Sequence, residues 1–161
     1  MALIAAKGTK AGQLESIGQP VVKVAVNAVN NAAFIPGDVL CYDKSSFKWR
    51  LCTSGDVRPF AIAYKDKATT ATRVAYVDDG GVYITVISDG VIKADSLVKP
   101  STATDGQVMA ATELGTATTT GTHLGVIGKF IKVAKWVPEG DGYNARTDAA
   151  DGDIILIKLV E

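Results

Sequence analysis

The sequence predicts an all-β fold made of two related units, on three observations. Eleven short segments rich in Val, Ile and aromatic residues are separated by Gly, Asp, Ser, Thr and Pro, the composition of strands and their turns. No segment keeps a 3.6-residue apolar period for the ~12 residues a helix needs. The segments also repeat in order along the chain.

Taken in order, "PVVKVAVNAV" alternates valine with other residues and reads as the opening strand. "GDVLCYD" and "FKWRLCT" follow as a hairpin, then "PFAIAYK" and "TRVAYVD". The turn "VDDGGV" reads as a hairpin closed through Asp79-Gly80 or Gly80-Gly81, leading into "GVYITVIS". "SLVKP", "QVMAAT", "LGVIGKF", "KVAKWV" and "DIILIKLV" complete the series. "AGQLESIG" is the best helical stretch, but it is short and glycine-flanked, so it reads as an arm or a single turn.

The repetition aligns the halves. "GDVL" at 37 to 40 answers "DSLV" at 95 to 98, "RLCT" answers "VMAAT", "RPFAIAYK" answers "HLGVIGKF", and "VYITV" answers "IILIKLV". The offset grows from 57 between Asp38 and Asp95 to 64 between Ala61 and Gly125. The growth falls in two loops, "ELGTATTTGTH" and "PEGDGYNARTDAADGD". This predicts an arm over residues 1 to 20 and one β domain over 21 to 161, with internal halves at about 33 to 90 and 91 to 161. Short strands in an incompletely closed sheet leave unpaired edges, which barrel closure or oligomerisation would satisfy.

At 161 residues the chain suits one compact unit. Its 17 basic and 17 acidic residues lack the positive excess that neutralising a phosphate backbone requires, so no direct nucleic-acid partner is expected. No stretch approaches the ~20 apolar residues of a membrane helix, and the opening residues lack a basic segment before their apolar run. A protein that is not exported and has no membrane partner is the expectation. Cys41 and Cys52, the only cysteines, do not make a disulfide framework; they are expected as reduced, partly buried thiols, although one hairpin register would let them face each other.

Nothing resembles a catalytic constellation, so no enzymatic activity, cofactor or metal is expected. His123 is a lone imidazole after a threonine-rich loop. Asp141, Asp148, Asp151 and Asp153 lack the spacing of a calcium hand and read as a solvated loop. "KDKATT" at 65 to 70, with "PGDVL" upstream, looks like parts of lipoyl carrier domains. A further hairpin separates the two pieces, so Lys67 reads as a charged turn residue.

From "GDVLCYDKSSFKWRLCT" through "PFAIAYKDKATTATRVAYVDDGGVYITV" to "GVIKADSLVKPSTATDGQVMAAT" and "HLGVIGKFI", the chain resembles the head decoration, or cement, proteins of tailed double-stranded DNA phages. The likeness covers about residues 33 to 161, and the order and duplication of the motifs carry it. The resemblance implies a small β-barrel or β-tulip fold, commonly a homotrimer, on the outer capsid surface after synthesis in the host cytoplasm. Its partners would be the major capsid protein and copies of itself. Within that reading the arm residues Leu3, Ile4, Lys7, Lys10 and Leu14 are a lattice-binding segment, or else pack on their own barrel or a neighbouring protomer. Trp49, Trp136 and Tyr143 are candidate anchors, with a core or strand-face role as the default for the two tryptophans. The alternatives are a viral tail or fibre component, a cell-surface β binding module, or an enzyme or carrier domain.

Overall fold

A computed structural model describes residues 11 to 12, 22 to 53, 59 to 111, 125 to 133 and 147 to 160. Among them the fold is all-β, with ten strands in two antiparallel sheets and no α-helix. The first sheet contains β1 (Lys23–Ala25), β2 (Val39–Asp43), β3 (Lys48–Leu51), β4 (Phe60–Ala63) and β5 (Val74–Val77). The second contains β6 (Tyr83–Ile87), β7 (Leu97–Pro100), β8 (Val108–Ala110), β9 (Gly128–Val133) and β10 (Ile154–Leu159). Ten of the eleven expected segments thus supply the strands' main stretches, and the start of the other, "KVAKWV", completes β9.

The two sheets run in the same order. Neighbours follow β1-β5-β4-β2-β3 in one and β6-β10-β9-β7-β8 in the other, so each reads first, fifth, fourth, second, third. The registers agree as well. Leu40 pairs with Ala61 and Leu51, and Val98, 58 residues later (98 − 40), pairs with Gly128 and Ala110. A single parallel bridge brings Ala28 to Trp49 in the first sheet and Ser88 to Val108 in the second. An antiparallel bridge joins Phe34 to Lys67, and its counterpart joins Ile92 to Ala149. The ladders themselves do not run round in a closed ring; β1, β3, β6 and β8 are the ends of the two sheets.

Turn chemistry follows the same correspondence. Gly37 and Asp95, each two residues before its strand's matching position, both have positive φ (92° and 63°). Phe47 and Gly106, 59 apart (106 − 47), also share it (59° and 82°). Asp43 caps its turn by accepting the Ser45 amide at 2.8 Å, and Ser101 does the same for Ala103 at 2.9 Å.

Alternation divides the buried residues between two cores, because successive strand side chains point to opposite faces. Val39, Cys41, Cys52, Ile62 and Val77 leave the first sheet to join Ile84, Val86, Val98, Phe130, Ile155 and Ile157 of the second in one shared core. Leu40, Ala61, Ala63 and Val74 point the other way, into a second core completed by Ala28, Phe34 and Trp49. Full burial of each large apolar side chain contributes ~1.5–3 kcal/mol. The shared core makes the two sheets one packed body.

Two expectations differ from the structure. "VDDGGV" is a crossover between sheets and no hairpin, because β5 is flanked by β1 and β4 while β6 pairs with β10. "VYITV" and "IILIKLV" are therefore hydrogen-bonded neighbours, and the strand order sets β6 against β1 and β10 against β5. Both pairs are strongly β-branched, so composition alone matched the wrong partners. The cysteines do not face each other: Cys41 is opposite Arg50, and the Cys52 amide donates to Val39. Both are buried and outside any disulfide.

Candidate interaction surface

The opening strand presents its valines outward. Val22, Val24 and Val26 are 37%, 57% and 65% exposed, in a row along one face of β1 and its flanks. The opposite face carries Ala25, which packs in the second core, and Lys23, whose ammonium meets Asp78 and Asp79 at 2.5 and 3.3 Å. Those bonds raise the Lys23 pKa above its ordinary value. The row is apolar surface on an end strand of the first sheet, and just beyond it the chain is bonded to Trp49 of β3 through Asn27 and Val29. Phe47, 66% exposed at a turn tip, and Val91, 62% exposed, are further apolar protrusions.

A cleft of ≈ 410 Å³ lies where the sheets meet, lined by Pro59, Phe60, Ile62, Asp78, Ile127 and Leu159. Its one carboxylate, Asp78, is already engaged by Lys23. The cleft can admit an apolar group, and the residues lining it bring no nucleophile or base together.

The charged residues near these surfaces serve the backbone. Asp38 is buried beside the turn that precedes β2; burial pushes its pKa up to about 6, against the Ile35 amide it accepts at 2.9 Å. Asp43 is held well below the usual carboxylate range by the hydroxyl and amide of Ser45 and the Ser46 hydroxyl. Asp148 accepts the Ala94 amide, Asp151 the Gly90 amide and Asp153 the Ala150 amide, tying residues 147 to 153 to the turn at 90 to 94 and to each other. No group of three or more possible metal ligands occurs among the described residues.

Lys67 is not the charged turn residue its sequence suggests. It is 3% exposed, lies 4.8 Å over the Phe34 ring, and donates to the carbonyls of Ala68 and Ala71 at 2.9 and 2.7 Å. Burial lowers its pKa. The ammonium closes the loop over 68 to 71 and is not presented to an attaching enzyme.

Of the sites expected from sequence, Trp49 is described. It is 7% exposed, with its ring 5.4 Å from Tyr42 and 4.8 Å from Tyr76. Leu3, Ile4, Lys7, Lys10, Leu14, Trp136 and Tyr143 lie outside the described residues, as do His123 and Asp141. Within the arm, Ala11 and Gly12 are described: Gly12 donates to the Thr85 carbonyl of β6 at 2.6 Å and abuts Pro36 and Gly37. Sequence reasoning passed over the outward valines because it assigns alternating apolar residues to the core. The signal that could have found them is Lys23, whose alternation with them needed an acidic partner on the inner side. No protein-family model and no curated protein matches the chain.

Proposed function

We propose that this chain is a capsid decoration, or cement, protein that binds the outer surface of a viral head and cross-links major capsid subunits against the pressure of packaged DNA. The motif order that resembles the phage head decoration proteins is one support. The observation that carries the reading is the repeated sheet order joined to an outward valine row: two small β units in one body, with apolar surface left over for association. In this reading each sheet, with its single parallel bridge, is a curled barrel-like unit arisen by duplication. The action is mechanical and involves no catalysis. Several weak contacts per particle raise occupancy well above that of any one contact. Binding the expanded lattice alone stabilises it by about 2.7 kcal/mol per site at a free concentration 100 times Kd.

The test is co-sedimentation of the purified chain with expanded heads of a tailed phage that encodes it, alongside a variant lacking residues 1 to 10, which keeps the Gly12 bond to β6. The full chain is expected to pellet with heads to saturation and the truncated chain to bind more weakly while its β domain stays folded. Equal binding by the two removes the arm from the proposal. A full chain that ignores heads but takes up a soluble ligand supports a receptor or fibre module instead.

A further inference from the structure

The outer face of the second sheet differs in kind from the same face of the first. In the first sheet Val39, Ile62 and Val77 stand side by side across β2, β4 and β5, and all three are buried in the shared core. The register that matches Leu40 with Val98 and Ala61 with Gly128 puts Leu97, Lys129 and Lys158 in their places across β7, β9 and β10. Both lysines are exposed, and Leu97 is half-buried. Where the first sheet packs an isoleucine and a valine against its neighbour, the second turns two ammonium groups outward.

The charge on this face is of one sign. Strands β6 to β10 contain four lysines, Lys99, Lys129, Lys132 and Lys158, and no acidic residue. Their chain neighbours Val98, Phe130, Val133 and Ile157 point into the shared core, so the lysines point out. Lys129 and Lys158 are direct cross-strand partners. At that spacing, roughly 5 Å between Cβ atoms, like charges destabilise a sheet. Lys158 relieves part of the repulsion by placing its ammonium 5.7 Å from the centre of the Tyr83 ring, on the side of β10 away from β9. Other lysines are answered by carboxylates: Lys23 by Asp78 and Asp79, Lys93 by Asp148. Lys129 and Lys158 meet no carboxylate among the described residues. A face that only ended the repeat would mix both signs.

We propose that this lysine face of the second sheet is a docking surface for carboxylate side chains on a protein partner, which on the reading above are those of major capsid subunits. The partner's identity rests on that reading. A carboxylate set between Lys129 and Lys158 turns a repulsive pair into a bridged one, so docking removes a cost that the free chain carries. A protein surface fits the face better than a phosphate polymer does. Leu97 and Tyr83 flank the lysine pair, and Ile131, in the bulge of β9, is 40% exposed, so the charges are set among apolar contacts. No arginine occurs in these strands to grip phosphate with two bonds.

The test is co-sedimentation of the full chain with expanded heads over a series of salt concentrations. The parent is compared with a Lys129→Glu, Lys158→Glu variant and with a Lys44→Glu, Lys48→Glu variant, which makes the same change in net charge at an exposed turn of the first sheet. Reversal at 129 and 158 should weaken binding about tenfold to a hundredfold, since it sets like charges against the partner's carboxylates. The turn variant should bind as the parent does. Binding by the parent should weaken as salt screens the face. A Lys129→Gln, Lys158→Gln variant, freed of repulsion within the sheet, should resist urea at least as well as the parent and still bind more weakly. Face variants that bind heads as tightly as the parent overturn the proposal and leave the capsid reading standing. Equal loss in the turn variant assigns the effect to bulk charge and also overturns it. If the face variants keep head binding and lose only capture on immobilised polyphosphate, the lysines serve an anionic polymer and the proposal fails. A parent chain that never pellets with heads overturns the capsid reading and this inference together.

Discussion

Substitutions at Phe47 and Gly106 should change stability in opposite directions, although the two residues share a backbone conformation at corresponding positions. For Gly106→Ala, an L-residue at φ 82° costs ~1–2 kcal/mol, of which ~0.5–1 returns through the lower entropy of the unfolded chain. The larger penalty is steric. The new Cβ would sit 2.9 Å from Asp38 Oδ1 and 3.1 Å from Leu51 Cδ2, so these side-chain ends must shift and the two backbone bonds the turn makes to the first sheet are strained. Each is worth ~1 kcal/mol, and more if the groups are left buried and unpaired. The total is about 2–4 kcal/mol of destabilisation, or a fall in Tm of roughly 5–15 °C for a chain of this size. Phe47→Gly relieves the same φ at a tip with little burial, so it should be neutral or stabilise by up to about 1 kcal/mol. Urea unfolding at low protein concentration, with unchanged m-values, measures both. Equal tolerance at the two positions, or a loss at Phe47 as large as at Gly106, would refute the seating of the second turn on the first sheet.

Asp38 titrates against the fold. Its folded pKa, about 6, lies above the ordinary 3.8 because burial disfavours the charge, so its contribution to stability is complete below the ordinary value and is lost as pH rises through about 6. Asp38→Asn should flatten that part of the stability-pH curve and leave the variant relatively more stable at pH 7 than at pH 4; an unchanged slope contradicts the burial. Asp43, held low by its turn, contributes the opposite way, with stability lost as pH falls, so the acid limb should survive in the Asp38 variant. Trp49→Ala should cost ~3–5 kcal/mol, the range for emptying a large aromatic site. If that variant stayed as stable as the parent and lost only binding, Trp49 would be a surface anchor and not a core residue.

Much of the strand content was legible in the sequence, because β-branched residues between glycine and aspartate turns leave few alternatives. The segments "GDVLCYD" and "SLVKP" begin strands that do occupy corresponding places, and "PFAIAYK" and "LGVIGKF" contribute the fourth strand of each sheet. The pairing of the last strands was not legible. "TRVAYVD" lies between β1 and β4, and nothing in its composition says that the chain then crosses to a second sheet without turning back. Lys67 misled for a related reason: a lysine's charge predicts exposure, and only the ring of Phe34 and the carbonyls of a loop brought over it make burial tolerable. Of the candidate surface, Trp49 was named and proved buried, whereas Val24, Val26 and Phe47 drew no notice because exposure of apolar residues is decided by which neighbours the topology supplies.

Image reconstruction of heads assembled with and without this chain tests the central claim most directly. The predicted result is added density of one chain's size at ordered positions on the outer surface, bridging adjacent capsid subunits, into which the two-sheet body fits. Heads that look the same with and without saturating amounts of the protein would contradict it.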